Sequence, residues 1–197
     1  MKKIIIAFFT LSLTFGVSAQ SSQPRTVSDY FMLLPVKYLA RLEKVKNRKS
    51  IIAVRDDKNG YLELKEQVFD GETGEAEIAL FRNSNGEAVI AVAATSCGMD
   101  DCIGGLTLLQ YRNGKWTNET ERLMPKITGE ILLAAFDRIK TERDEKYTKD
   151  ALPQTYFELP RKGTTVKVTL GGSTASSMEA LFFLKWNGAA FEISNTK

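Results

Sequence analysis

From Ile51 onward, apolar and polar positions alternate in short runs, and each run ends at a glycine-bearing turn signal. "IIAVRDDKNGYLELKE" reads as strand, Asn59-Gly60 turn, strand. "AEIALFRNSNGEAVIAVAAT" repeats the plan around Asn85-Gly86, and "IGGLTLLQYRNGKWTNE" around Asn113-Gly114. "TYFELPRKGTTVKVTLG" turns at Lys162-Gly163, and "EALFFLKWNGAAFEIS" at Asn187-Gly188. Asn-Gly accepts the positive backbone angles of tight hairpins, so these pairs predict consecutive antiparallel strands.

Two stretches follow a helical period instead. Ser28 is placed to cap "DYFMLLP", which Pro35 interrupts, and "VKYLARLEKVKNRK" carries Leu39, Leu42 and Val45 at helical spacing. Inside the β region, Thr128 is placed to cap "GEILLAAFDRIKTERDEK", whose Ile131, Leu132, Ala135, Phe136 and Ile139 share one face. The expected fold is α+β and mainly antiparallel β. A helical start over 28–49 leads into hairpins over 50–197, a meander of about ten short strands with one inserted helix.

The first residues read differently. Lys2 and Lys3 precede an apolar run from Ile4 to Val17, and "VSA" then supplies small residues before Gln20. That is the pattern of a secretory signal peptide over 1–19, cleaved after Ala19. The run is shorter than the ~20 apolar residues of a spanning helix, and no later segment is long and apolar enough to span. Residues 20–27 read as a polar linker, and 28–197 as a single β-rich domain. The expected location is the periplasm or the exterior.

Export changes the charge picture. The chain has 27 Lys+Arg against 24 Asp+Glu; without Lys2 and Lys3, 25 face 24. A near-neutral chain gives no global reason to bind nucleic acid. The basic block "KYLARLEKVKNRK" reads as the solvated face of a helix. Histidine is absent, which removes His-activated nucleophiles, histidine general bases and histidine metal ligands.

Chemistry concentrates in "SCGMDDCIGG", which holds both cysteines. In an oxidising compartment such a pair is expected to form a Cys97–Cys102 disulfide. The bridge would close a small loop worth roughly 2 kcal/mol in the loop-entropy account and display Met99, Asp100 and Asp101 on a rigid tip. A redox pair would favour C-x-x-C at a helix start, and a calcium site needs more oxygens than two aspartates supply.

Other motifs exclude more than they assign. "DGETGEAE" lacks the Lys-Ser/Thr of a P-loop, and "DDKNGYLEL" puts Arg55 where an EF-hand needs its first acid. "GGSTASSME" (Gly171 to Glu179) has hydroxyls but no S-x-x-K, and reads as a hairpin connection. The acids are scattered, so no carboxylate pair stands out for hydrolysis. Tyr111 and Trp116 flank one Asn-Gly turn, and Trp186 and Phe191 another at the same separation. They read as aromatic clips across hairpins, with an aromatic surface for a sugar or peptide as the alternative. No cofactor or metal is expected.

"DYFMLLPVKYL" at Asp29, "DDKNGYLEL", "YRNGKWTNET" at Tyr111 and "YFELPRKGTTVKV" at Tyr156 together resemble a family of small secreted bacterial proteins of unknown function. "YRNGKWTNET" with the following "LMP" is also similar to the hairpin-plus-turn unit of FG-GAP/VCBS-type β-repeat proteins. Their calcium loop, D-x-D-x-D-G, is missing here. The resemblance implies no catalytic residues. The expected function is a non-catalytic envelope or secreted binding module, with an envelope or extracellular protein as partner. The alternatives are an inhibitor of an extracellular enzyme using the disulfide-held loop, and a carboxylate-based hydrolase.

Overall fold

Thr26 opens the first helix, α1 (Val27–Leu33), through a reciprocal capping box. Its hydroxyl accepts the Asp29 N–H at 3.1 Å, and the Asp29 carboxylate accepts the Thr26 N–H at 2.9 Å. This corrects the expected Ser28 cap. The acid that completes the box lies three residues after Thr26, so Ser28 falls inside the first turn, where it is buried. Leu34 is extended before Pro35, as a residue preceding proline is pushed to be, and α1 stops there.

The computed structural model describes residues 24–39, 42, 47–67, 73–97, 102–139, 154–170 and 180–195. After Pro35 the expected α-helix gives way, at the described residues, to 3₁₀ turns over Val36–Tyr38 and Arg48–Ile51. Leu39 and Leu42 are both buried. A spacing of three serves a 3₁₀ turn as well as an α-helix, which is why the apolar period alone did not separate them. Val45 lies outside the described residues.

Among the described residues ten strands follow, each pairing antiparallel with a strand next to it in sequence within its own sheet. The first sheet has six: β1 (Ile52–Asp56), β2 (Tyr61–Gln67), β3 (Thr73–Arg82), β4 (Ala88–Cys97), β5 (Cys102–Arg112) and β6 (Lys115–Asn118). The second has four: β7 (Thr155–Glu158), β8 (Thr165–Leu170), β9 (Phe182–Trp186) and β10 (Phe191–Ser194). Between the sheets run a short α2 (Thr120–Leu123) and the inserted α3 (Gly129–Ile139). The five predicted turn glycines, Gly60, Gly86, Gly114, Gly163 and Gly188, all take positive φ. Asn113 does too, at 50°, so the β5–β6 turn has two consecutive left-handed residues.

The first sheet is covered on both faces, and its alternation sorts residues between two cores. Tyr61, Ala79, Phe81, Val89 and Ala91 share a buried cluster with Val166, Val168, Phe182 and Leu184 of the second sheet. Leu62, Leu64, Ile78, Ile90 and Val92 cluster with Val27, Phe31, Leu34, Leu39 and Leu42 of the N-terminal segment. A strand buried on both faces reads as a continuous apolar run, which is what "AVIAVA" at the start of β4 is. Thr128 accepts the Ile131 N–H at 3.4 Å and starts α3, which seats Ala135 in the inter-sheet core with Ile131, Leu132 and Phe136 partly buried beside it. Among the described residues no helix is long and apolar enough to cross a membrane.

Candidate functional site

The alternation that sends Tyr61, Ala79 and Phe81 toward the second sheet sends Glu63, Lys65, Glu75 and Glu77 the same way further along β2 and β3. Glu63 faces Glu77 and Lys65 faces Glu75 in the register. On the other side of β3, Ala93 is opposite Glu77 and Thr95 opposite Glu75. The small Ala93 leaves room there, and Tyr156 of β7 lies close over Gly104 of β5, where an added Cβ would be 3.0 Å from the ring. The result is a groove of about 380 Å³ between the sheets, bounded by Glu63, Glu75, Glu77, Thr95, Tyr156 and Glu158.

Glu77 is its most perturbed group. One carboxylate oxygen accepts the Tyr61 hydroxyl at 2.9 Å and the other accepts the Leu159 N–H at 2.6 Å. Burial pushes the carboxyl up to about 7; the two hydrogen bonds oppose that, and the neighbouring Glu158 and Glu63 charges add to it. The Tyr61 hydroxyl is held well above its ordinary range, first by burial and then by Glu77. Lys65 is raised by its contact with Glu75, at 2.7 Å, and Lys167 pairs with Glu158 at 3.2 Å. Among the described residues, Glu63 and Glu77 face the groove without a cation of their own. No group of three or more His, Cys, Asp or Glu is placed to hold a metal ion among the described residues.

The residues singled out from the sequence fall elsewhere. Cys97 and Cys102 close the β4–β5 ladder as direct cross-strand partners. Met99, Asp100 and Asp101 lie outside the described residues. Tyr111 and Trp116 are cross-strand partners with ring centroids 5.1 Å apart; Tyr30 of α1 packs edge-on against both, and the Trp116 indole donates to the Leu33 carbonyl at 2.9 Å. Trp186 and Phe191 are likewise partners at 5.1 Å, with Phe81 against both. This second pair is buried. Trp186 and Phe191 are 8% and 3% exposed, and the Trp186 indole donates to the Arg82 carbonyl at 2.7 Å, so both rings belong to the inter-sheet core.

Sequence reasoning missed the groove. Its signal was an acid in a core-facing register: Glu77 occupies the position that Ala79 and Phe81 continue. In "GEAEIALF" the other register, Ala76, Ile78 and Leu80, is equally apolar. With two apolar registers, nothing marked Glu77 as the exception.

No protein-family model matches this chain, and no curated protein is similar to it. Among solved structures, the chain is similar to a domain of an uncharacterized protein from Porphyromonas gingivalis W83, at 9% identity and a TM-score of 0.45, over 86% of this chain and 100% of that one.

Proposed function

We propose that the protein is an exported, non-catalytic binding module that takes a basic segment of an extracytoplasmic protein into the inter-sheet groove. The observation that carries this reading is the groove itself, where four carboxylates meet and two, Glu63 and Glu77, have no cation opposite them among the described residues. With Lys65 and Lys167 paired to Glu75 and Glu158, the two remaining acids leave the concave site net negative, and such a site focuses its field and draws the opposite charge. Glu77 spends both carboxylate oxygens on Tyr61 and Leu159, which favours a fixed binding wall over a proton-transfer group.

The test is calorimetric titration with the peptide Ac-Lys-Ala-Lys-Ala-Lys-NH2 at low salt and pH 8. One saturable site is expected. The Glu63→Gln/Glu158→Gln variant should bind at least tenfold more weakly, and affinity should drop between pH 8 and pH 6 as Glu77 takes up its proton. A variant that binds as tightly as the parent would sink the proposal.

The rim of this groove leads toward the cysteine end of the sheet, since Thr95 and Cys97 are two residues apart on β4. We infer that Cys97 and Cys102 are disulfide-bonded and brace that end. Direct antiparallel partners have Cα atoms roughly 4.5 or 5.5 Å apart, and both spacings lie inside the range a disulfide spans. Iodoacetamide added to unreduced protein from an oxidising compartment is expected to modify neither cysteine. Two alkylated cysteines in folded protein would refute the bridge.

A further inference from the structure

Among the described residues, the exposed large hydrophobic side chains all fall at the end of α1 and the start of the 3₁₀ turn after it. Met32, Leu33 and Val36 are 45%, 47% and 46% exposed, and none belongs to either core. Val27, Tyr30, Phe31 and Leu34 are buried at helical spacing in the core beneath α1, which leaves Met32 and Leu33 on the outward side. Exposed apolar residues scattered singly need no explanation, whereas a group gathered at one spot marks an interaction surface.

Cations rim this group. The Arg48 guanidinium donates to the Phe31 and Met32 carbonyls at 2.7 and 3.2 Å, which holds its charge at the open end of α1. Lys37 directly follows Val36 and is exposed. Lys49 and Arg55 line a cavity of about 480 Å³ together with Met32. Neither Lys37 nor Lys49 is ion-paired among the described residues. The nearby carboxylates are already engaged. Asp29, in the same cavity, accepts the Arg25 and Thr26 N–H groups, and Asp57 pairs with Arg55 at 2.6 Å. The patch is therefore apolar at its centre and net positive at its rim, with Lys37, Arg48, Lys49 and Arg55 against Asp29 and Asp57.

We propose that this patch docks the protein on an anionic phospholipid surface. Met32, Leu33 and Val36 enter the boundary between headgroups and acyl chains, and Lys37, Arg48 and Lys49 meet the lipid phosphates. Apolar side chains at the centre with cations at headgroup level are what an interfacial anchor needs. A protein partner fits less well, because a specific protein interface takes roughly 20–30 residues a side, and the apolar centre here is three side chains. The first sheet separates α1 from the acidic groove, so docking leaves the groove open, and the two proposals stand or fall separately.

The experiment is co-sedimentation with vesicles of phosphatidylglycerol mixed equally with phosphatidylcholine, and with vesicles of phosphatidylcholine alone, at low salt. Among the described residues neither core uses a residue before Val27, so protein lacking residues 1–19 is used, which removes an apolar run that would enter lipid of any charge. The parent is expected to bind the anionic vesicles at least tenfold more tightly than the neutral ones, and added salt should weaken that binding. Lys37→Gln/Lys49→Gln should weaken it about tenfold or more, since each cation near an anionic surface contributes roughly fivefold. Met32→Ser/Leu33→Ser/Val36→Ser should weaken it at least tenfold with the rim charges intact. All five positions are exposed, and urea midpoints near the parent's show that both variants are folded. Equal binding to neutral and anionic vesicles would overturn the proposal, as would unchanged binding in the folded serine variant. No binding to anionic vesicles by the parent would also overturn it and leave the patch to an acidic protein.

Discussion

Truncation of Phe31 to alanine is expected to lower the unfolding free energy by about 3–5 kcal/mol, the usual cost of emptying a large buried aromatic site. The helix that carries it has only seven residues, too few to hold itself in water, so its stability comes from the face it buries. Phe31 is 0% exposed in the cluster that joins α1 to Leu62, Leu64, Ile78 and Ile90. It also organises its surroundings. The Arg48 guanidinium lies 5.8 Å from the ring centroid and donates to the Phe31 carbonyl at 2.7 Å. Loss of the ring therefore leaves a cavity and removes the surface on which Arg48 rests, between the two halves of the N-terminal segment. Leu33→Ala, two residues on and 47% exposed, serves as the control and should stay within about 0.5 kcal/mol of the parent. Urea unfolding of the two variants side by side decides the matter. Equal midpoints would mean that α1 is not a structural layer of the first sheet.

The positions of the turns were legible because each rests on local chemistry. A left-handed residue is required at a tight hairpin turn, glycine supplies it without a Cβ clash, and all five pairs named from the sequence turn where expected. The cap of α3 was legible for the same reason: Thr128 needs only its own next turn. Ser28 failed as a cap because Thr26 and Asp29 form a better reciprocal pair two residues earlier, and caps compete locally. What could not be read was the partition into two sheets. Hairpin signals order strands along the chain and do not say where the ladder ends. The break after β6 lies at α2 and α3, whose core-facing residues fill the space between the sheets. The groove depends on that partition, because Glu77 and Glu158 line one space only once β7 is folded back over β4 and β5 of the first sheet. Aromatic pairing was legible for each hairpin, while burial of Trp186 and Phe191 depended on Phe81, about a hundred residues earlier in the chain.

Glu77 sets the second large effect, a fall in stability as pH rises from 5 to 8. Its carboxyl is raised from the ordinary 4.5 to about 7 in the folded protein, chiefly by burial. Below the ordinary value both folded and unfolded chains hold the proton, and the group costs nothing. Between that value and about 7 the unfolded chain releases the proton while the folded chain keeps it, so each step up in pH favours unfolding. Above about 7 the folded chain carries a buried carboxylate and the penalty is complete. It amounts to about 2–3 kcal/mol, from roughly 1.4 kcal/mol for each tenfold gain in proton affinity, less some screening by the open groove. Asp29, Asp56, Asp57, Glu87 and Glu119 are all lowered, so their contributions are lost only as pH falls below the ordinary carboxylate range. The chain has no histidine to titrate between 5 and 8, and Glu77 is a carboxyl raised into that window. Glu77→Gln keeps both contacts: its oxygen accepts the Leu159 N–H, and its NH2 donates to the Tyr61 hydroxyl oxygen. The variant should match the parent near pH 5 and exceed it by about 2 kcal/mol at pH 8, with a flattened profile between. Glu77→Ala should be the weaker protein at both pH values, because it leaves the Leu159 N–H and the Tyr61 hydroxyl without their acceptor. Urea midpoints of the three proteins at pH 5 and pH 8 test this. A parent whose stability is flat or rising across the window would show that the Glu77 carboxylate is already ionised at pH 5, and that the groove carries its full negative charge throughout.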